Sequence, residues 1–382
     1  MEEWKEYKLG DVINVLDNKR IPLSSKERST RKGNFPYYGA QGIIDYINDF
    51  IFNGTYLLIA EDGENLKSQK QDIAQLATGK FWVNNHAHIV ESNGLCDIRY
   101  LCYLINRMDL SGYITGSAQP KLNQANLLSI IIRLPLLRKQ QYIANFISMF
   151  DDKIELNRRI NENLEQQAQA LFNYYFIEHS EILGDYEKGN LTEIATYTNG
   201  LPMQKFRPQD EEKGMPVLKI KELGQGQTDN SSDICSENIA NEYKVTNGDV
   251  IFSWSGTLMV KVWCGGLCGL NQHLFKVTSE KYPKWYYYFW TKFHLNKFIR
   301  IAQDKAVTMG HIRRGDLESS EVLVPKMDIL AKLNEIINPI FNQIIGIECE
   351  NRNLAQLRDT LLPRLMSGEL AITDVDDRSI FQ

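Results

Sequence analysis

The sequence predicts an α+β protein with two similar mixed α/β domains, each followed by a long helix, the two helices forming an antiparallel coiled coil. Two observations support this fold class. The chain of 382 residues repeats itself at an offset of 190 residues, and each half ends in a hydrophobic heptad pattern. With 43% hydrophobic and 24% charged residues, the chain has the composition of a globular protein with substantial cores.

The repeat is clearest where each domain ends. The corresponding positions are Leu122 and Ile312, Leu127 and Leu317, and Pro135 and Pro325. The domain starts match more loosely, since Tyr7–Val12 resembles Gly189–Ile194. Because proline disfavours helix in the residue before it, each matched proline predicts a boundary between a domain and a helix. The predicted parts are a first domain (1–135), a first helix (136–178), a second domain (179–325), a second helix (326–370) and a C-terminal tail (371–382).

Each predicted helix carries apolar residues alternately four and three positions apart, which is the seam of a coiled coil. The seam residues are Ile143, Ile147, Phe150, Ile154, Leu164 and Leu171 in the first helix, and Leu333, Ile337, Ile340, Ile344, Leu354 and Leu361 in the second. Asparagines within the seam lower stability and fix the register. The alternative is that each helix packs on its own domain, although this seam is narrower than a core-facing stripe usually is. Pro363 predicts a bend or an end in the second helix.

The chain is expected to be a reduced cytoplasmic protein without a membrane segment. No apolar stretch approaches the roughly 20 residues of a membrane helix, and the first residues lack the apolar run of a secretory signal. Six cysteines in a chain of this length do not indicate a disulfide framework.

Basic segments occur in both halves, although the net charge of −5 on its own disfavours nucleic-acid binding. Residues 19–32 hold six Lys/Arg and one Glu, and residues 284–314 hold seven Lys/Arg and one Asp. Either segment alone is as well explained by a solvated surface, whereas one in each repeat favours DNA binding. From Gly315 onwards six Lys/Arg stand against twelve Asp/Glu, which favours a protein partner.

Motifs for catalysis and metal binding are incomplete. Asn34–Tyr37 has phenylalanine where the Asn-Pro-Pro-Tyr motif of adenine methyltransferases has proline, and Ala74–Phe81 lacks two required residues of a phosphate loop. Cys264, Cys268 and His273 lack the second ligand pair of a zinc finger. The helical spacing of residues 285–290 favours an aromatic core over a base-stacking platform. The sequence therefore predicts no catalytic residue, metal site or cofactor site in this chain.

Several segments together resemble the specificity (S) subunit of type I restriction–modification enzymes. These segments are Tyr37–Ile43, Leu58–Gly63, Asn85–Ile89, Lys121–Leu127, Gly248–Phe252, Asn271–His273 and Leu362–Leu370. The resemblance implies that each domain is a target-recognition domain for one half of a split site in double-stranded DNA. It also implies that the helices form an antiparallel spacer and that the chain is a non-catalytic subunit.

The resemblance further implies the partners that carry the chemistry. Two methyltransferase (M) subunits would use S-adenosylmethionine, and restriction (R) motor–nuclease subunits would use ATP and Mg²⁺. Two other functions stay open from the sequence. A fused restriction–methylation protein would need a methyltransferase or nuclease motif, and a coiled-coil adaptor would not bind DNA.

Affinity for DNA is expected from Lys and Arg on phosphates, and specificity from polar side chains on base edges. In the first domain the phosphate candidates are Lys26, Arg28, Arg31 and Lys32, and the base or groove candidates are Tyr38, Gln41, Lys80, Asn84 and Asn85. In the second domain the phosphate candidates are Lys305, Arg313 and Arg314, and the base or groove candidates are Ser253, Trp254, Asn271, Gln272 and His311. For each polar residue alone, the competing interpretation is a structural hydrogen bond in a loop.

Overall fold

The computed structural model describes residues 4–68, 71–116, 119–209, 211–304 and 312–370. These residues form two compact units. The first unit contains the chain up to Asp151 and again from Leu357, and the second contains Asp152–Gln356. The division therefore falls within the two long helices and not at the predicted ends of the domains. The predicted α+β class, with two similar domains and two long helices, is confirmed.

The first unit is built on a six-stranded sheet. The strands of this unit are β1 (Lys5–Lys8), β2 (Ile13–Val15), β3 (Lys32–Gly39), β4 (Gly42–Ile47), β5 (Phe52–Ala60), β6 (Ala74–Val83), β7 (Ala87–Ser92) and β8 (Ile131–Leu134). Strands β2 to β7 form the sheet, whereas β1 and β8 form a separate pair. Its helices are α1 (Ser25–Thr30), α2 (Asn65–Ser68), α3 (Ile98–Ile105), α4 (Gln124–Ser129) and the start of α5 (Leu137–Asn173). The sheet order is β2-β7-β5-β6-β3-β4, and only β3 and β6 run parallel.

Both faces of this sheet are covered, which explains why its central strands are apolar without strict alternation. In β5, Leu57–Ala60 are all buried. Leu57 and Ile59 belong to the cluster that also contains residues of α3. Leu58 belongs to a separate cluster with Phe81 and Ile89.

The second unit contains the second domain in a related arrangement. Its strands are β9 (Tyr186–Asn190), β10 (Thr196–Asn199), β11 (Met215–Leu218), β12 (Ile234–Cys235), β13 (Lys244–Val245), β14 (Asp249–Ser253), β15 (Met259–Trp263), β16 (Cys268–Leu270), β17 (Leu274–Thr278) and β18 (Glu321–Pro325). Its helices are α6 (Leu191–Ile194), α7 (Ile220–Gln225), α8 (Lys284–Asp304), α9 (Arg314–Glu318) and most of α10 (Met327–Ser367). The two sheets have the orders β10-β17-β14-β15 and β12-β11-β16-β13, and only β11 and β16 run parallel.

The strand registers reproduce the sequence repeat residue by residue. In the first domain Lys8 pairs with Ile131, and in the second Asn190 pairs with Glu321. Both pairings join the start of a domain to its end, at the positions that the sequence alignment makes equivalent. The long helices then begin at Leu137 and Met327, each two residues after its matched proline.

The seam residues of the first unit pack against the core of the first domain as well as against the other helix. Ile143 and Ile147 of α5 lie in one buried cluster with Leu362 and Leu365 of α10. The same cluster contains the core of the first domain, including Leu9 and Leu101. Helix pairing and packing on the domain therefore occur together, so both interpretations of the seam apply. Of the bend or end predicted at Pro363, the end is excluded, because α10 is helical as far as Ser367.

Within the second unit the helices run antiparallel and meet through asparagines. The side-chain amide of Asn157 donates to Glu350 at 2.8 Å, and that of Asn161 donates to the Ile344 carbonyl at 3.3 Å. Asn351 is buried, and its side-chain oxygen and nitrogen both lack hydrogen-bond partners among the described residues. The predicted seam residues of both helices are buried or half-buried.

The aromatic helix α8 forms the core of the second domain. All six residues from Trp285 to Trp290 are buried, in a cluster that includes Phe172 of α5 and Phe341 of α10. The prediction of core, and not of a base-stacking surface, is confirmed for these six rings. Among the described residues, none of the helices combines the length and apolar character needed to cross a membrane.

Candidate nucleic-acid interface

Three chain segments meet at the end of the central strand in each domain, at a place we call the strand-end junction. In the first domain the Glu61 N–H donates to the His86 carbonyl at 2.9 Å, and the Leu122 N–H donates to the Glu61 carbonyl at 2.8 Å. In the second domain Trp254 takes the place of Glu61, and it bonds the backbones of His273 and Ile312 at 3.4 and 3.0 Å. The two junctions therefore share one backbone frame.

Each junction contains an Asn-x-His turn, at residues 84–86 and 271–273. The asparagine side-chain oxygen accepts the histidine backbone N–H, at 2.8 Å for Asn84 and 3.3 Å for Asn271. Both asparagines are buried. Their assignment to base reading stays a prediction, and these hydrogen bonds favour the competing structural role, because they occupy the oxygen of both side chains. The middle residues differ, since Asn85 is exposed and Gln272 is half-buried.

The basic residues around α1 are held by carboxylates and rings. Arg28 lies 3.3 Å from Asp45 and 5.1 Å from the centre of the Tyr37 ring. Lys32 binds the other oxygen of Asp45 at 2.6 Å and keeps 62% of its side chain exposed. Arg28 is only 17% exposed, so its guanidinium belongs mainly to the domain and not to the open surface.

The two remaining phosphate candidates of the first domain differ in their surroundings. Arg31 lies 3.2 Å from Asp49 and 4.9 Å from the centre of the Trp82 ring. Lys26 is exposed on α1. Lys26 is therefore a more accessible phosphate candidate than Arg31.

The other predicted groove residues of the first domain lie on or beside β3 and β6. Gln41 is exposed in the turn between β3 and β4, where Gly42 adopts a φ of 117° that favours glycine. Lys80 is exposed, with its ammonium 4.7 Å from the centre of the Phe50 ring. Tyr38 is half-buried, and this burial raises the pKa of its hydroxyl.

In the second domain the predicted residues are less uniform. Arg313 and Arg314 are exposed, and Arg314 lies 3.3 Å from Glu318. Lys305 and His311 lie outside the described residues. Ser253 is fully buried and donates to the Ser255 carbonyl at 3.2 Å. The assignment of Ser253 to base reading stays a prediction, and the burial and hydrogen bond of Ser253 favour the competing structural role.

A charged network fills the junction of the first domain, and sequence reasoning missed most of it. The Arg20 guanidinium lies 2.7 Å from Glu61 and 3.2 Å from Asp17. His88 Nδ1 lies 2.6 Å from Asp17, and the Lys121 ammonium lies 3.1 Å from Glu61. Asp17 and Arg20 are three residues apart, but Glu61, His88 and Lys121 are distant from them in the sequence, so no local spacing pattern links the whole network.

The second domain fills the same three positions with an aromatic set. By the strand registers, Asp17, Glu61 and His88 correspond to Asn199, Trp254 and Phe275. The Trp254 indole N–H donates to the Asn199 side chain at 2.9 Å, and the Trp254 and Phe275 ring centres are 5.7 Å apart. The two domains therefore share a frame but differ in the chemistry at its centre.

A family model described as the type I restriction modification DNA specificity domain matches residues 1–166 and 184–358. The chain belongs to this family. The double match coincides with the two repeats, and it confirms the resemblance that the sequence segments predicted.

Two relatives of this specificity chain are named in the same terms. The type I restriction enzyme MjaIX specificity subunit of Methanocaldococcus jannaschii is 25% identical over 425 aligned residues, covering 98% of each chain. A putative specificity subunit of Haemophilus influenzae, S.HindORF215P, is 37% identical over 145 residues, or 38% of this chain and 36% of that relative. The crystal structure of the type I S subunit from M. genitalium shares the fold, with a TM-score of 0.61, 14% identity and 97% of each chain covered.

Two sets of residues in the described part of this specificity chain have side chains of the kinds that bind metal ions. Asp17, Glu61 and His88 offer ligand atoms within 4.8 Å of one another, but Arg20 pairs with both carboxylates and Lys121 pairs with Glu61. Burial raises the pKa of both Cys264 and Cys268 to about 12, so both thiols are protonated at neutral pH.

Acidification is expected to weaken the charged network of the first domain. Burial alone would raise the pKa of Asp17 and Glu61, but hydrogen bonds from His88 to Asp17 and from Arg20 to Glu61 hold both below their ordinary values of 3.8 and 4.5. Both carboxyls are thus more acidic folded than unfolded, so their contribution to stability is present above about pH 4.5 and is lost as the pH falls further.

Thermal unfolding measured at a series of pH values from about 6 downwards tests this expectation, because ordinary carboxyl groups titrate in that range. The Glu61→Gln variant should show a shallower loss of stability with acid than the unmodified chain. Glu64→Gln is the matched control, because Glu64 is exposed nearby. Equal acid slopes for Glu61→Gln and the unmodified chain would contradict the expected role of Glu61.

Proposed function

We propose that this chain is the DNA-specificity subunit of a type I restriction–modification complex, and that each domain binds one half of a bipartite target in double-stranded DNA. The observation that carries the proposal is the duplicated strand-end junction. One backbone frame occurs in both domains, while the central and exposed side chains differ. A repeated frame with divergent side chains suits two related domains that bind two different half-sites.

The long helices support a division of labour between spacing and reading. They are continuous over Leu137–Asn173 and Met327–Ser367, and their ends are built into the domain cores. A helix anchored in this way does not slide relative to the domain that it enters. We propose that the pair fixes the length of the unread spacer between the half-sites.

The catalytic steps are assigned to partner subunits. Two methyltransferase subunits would supply S-adenosylmethionine-dependent adenine methylation, and restriction subunits would supply ATP- and Mg²⁺-dependent cleavage in the cytoplasm. This chain would position them on the DNA and would not itself take part in bond making. The excess of acidic residues from Gly315 onwards supports contact with protein in that region and not with phosphates.

Exchange of single domains tests the proposal. The chain is expressed with a type I methyltransferase partner, and methylated adenines are located by sequencing the DNA of the host. We expect one bipartite sequence for the unmodified chain. Replacing residues 1–135 with the equivalent domain of another specificity subunit should change one half of that sequence, and replacing 179–325 should change the other half.

The two exchanges control for each other, because each keeps the helices and one original domain. An identical methylated sequence in all three chains would reject the proposal. The same holds if either exchange alters both halves together, since independent reading by two domains would then be excluded.

A further inference from the structure

Arg20 is the centre of the charged network in the first domain. Its side chain is 14% exposed. The guanidinium binds the carboxylates of Asp17 and Glu61 at 3.2 and 2.7 Å. It also donates to the backbone carbonyls of Asn85 and Ala87 at 3.4 and 2.9 Å. One arginine thus joins the end of β2, the end of β5 and the turn before β7.

The turn that Arg20 holds carries exposed polar groups. Asn85 is exposed at its tip, and 48% of the His86 side chain is open to solvent. His86 Nδ1 lies 2.8 Å from Asp62, which holds the ring in place. Backbone carbonyls on both sides of His86 are anchored to the guanidinium, so the direction of these groups depends on Arg20.

Glu61 and His88 connect this network to a third chain segment, at Lys121 and Leu122. Glu61 binds Lys121 at 3.1 Å, and His88 Nε2 lies 2.7 Å from the Leu122 carbonyl. Lys121 keeps 51% of its side chain exposed. Lys121 and the Asn-x-His turn are therefore linked through the half-buried Glu61 and its partner Arg20.

The second domain achieves the same end without an arginine. Leu201 forms a bridge to Asn271, with its N–H donating to the Leu270 carbonyl at 2.9 Å, so backbone pairs directly with the turn. The His273 ring packs against Trp254, with their centres 6.0 Å apart. The turn of the second domain is thus held by backbone bonding and ring packing, which do not depend on buried charge.

We infer that Arg20 is a positioning residue for the first half-site alone: it sets the geometry of the Asn84–His86 turn and of Lys121 for contact with DNA. The inference rests on the proposed function, and it names the residue through which the first domain keeps its reading turn in place. Polar contacts to base edges need accurate placement of donors and acceptors. Loss of Arg20 should therefore lower discrimination at one half-site and spare the other.

The test uses the full chain in complex with its methyltransferase partner. The probes are synthetic duplexes carrying the bipartite sequence found by methylation sequencing, either intact or with one base pair changed in one half. For Arg20→Met, the ratio of affinities for intact and changed first half-sites should fall roughly tenfold, the size of one charge-assisted hydrogen bond of about 1.4 kcal/mol. The corresponding ratio for the second half-site should stay within about twofold of the unmodified value, a difference of some 0.4 kcal/mol.

Matched variants separate positioning from folding. Arg133→Met makes the same chemical change at an exposed position of β8 and should alter neither ratio. Glu61→Gln keeps the side-chain shape while removing the charge that binds Arg20 and Lys121, and it should act in the same direction as Arg20→Met. Arg20→Lys should recover part of the discrimination, because it restores the charge without the planar fork.

The outcomes are distinct. The positioning role of Arg20 is rejected if Arg20→Met leaves the affinity ratio for the first half-site unchanged. It is also rejected if the affinity ratios for both half-sites fall equally. A melting temperature lowered by Arg20→Met with both ratios retained would likewise reduce the residue to a purely structural one. If the unmodified complex discriminates at neither half-site, the proposed function itself fails, whatever the variants do.

Discussion

Replacing Leu362 and Leu365 together by alanine is expected to unfold the first compact unit and to leave the second folded. Both leucines belong to the last turns of α10, yet they are 2% and 0% exposed in the core of the first domain. A buried leucine cut to alanine costs about 2–5 kcal/mol, so the pair removes much of the roughly 5–15 kcal/mol that holds a typical domain together. The end of one helix is thus part of a core formed mostly by the opposite end of the chain.

Calorimetry and peptide-level hydrogen exchange distinguish the two units. In the variant, peptides from residues 4–151 should exchange rapidly, whereas those from the core of the second domain should stay protected. Leu357→Ala is the matched control, since Leu357 lies on the same helix but is 52% exposed. A double variant no less stable than this control, or one that loses protection equally in both units, would contradict the expectation.

The parts of the fold that sequence reasoning reached are those encoded in periodic or repeated patterns. The alignment of Leu122 with Ile312 reappears as the same backbone bond to the strand end in each domain. The prolines at 135 and 325 mark the helix starts to within two residues. Such features are local, because proline restricts its neighbour and the helical period dictates which face is apolar.

The composition of the cores could not be read in this way. The seam pattern predicts a partner for each helix, but it does not state that Leu362 and Leu365 also meet Leu9 and Leu101. A leucine at a seam position and a leucine in a domain core look alike in sequence. Only the tertiary arrangement shows that these leucines serve both purposes.

The candidate site was harder to predict, for a related physical reason. Residue type alone favours polar residues at strand ends as base readers, but Ser253, Asn84 and Asn271 direct their side chains to nearby backbone. In the sequence Arg20 is one of six cations in residues 19–32, and its type and spacing do not distinguish it from the others. Its partners at 61, 85 and 87 are distant in sequence, and ion pairs of this kind have no periodic signature.

Replacing Phe289 by alanine is expected to destabilise the second domain by about 3–5 kcal/mol, the usual cost of removing a fully buried phenylalanine ring. Phe289 is completely buried, and its ring centre lies 5.5 Å from that of Phe172 and 6.0 Å from that of Phe341. The ring therefore joins α8 to both long helices. Chemical unfolding followed by hydrogen exchange of peptides from α8 measures this loss in the second domain.

The comparison with Phe293 decides what the aromatic helix does. Phe293 lies one turn further along α8 but is 45% exposed, so Phe293→Ala should cost less than about 1 kcal/mol of stability. If α8 were instead a base-stacking platform, Phe293→Ala would weaken DNA binding more than Phe289→Ala does. The loss of binding free energy would be about 1–3 kcal/mol per stacked base, without any loss of folding stability. If Phe293→Ala weakens DNA binding while Phe289→Ala leaves stability unchanged, the helix is a binding surface. If α8 is a core helix, Phe289→Ala lowers the stability of the second domain. Recognition of the second half-site is then lost only when that domain unfolds.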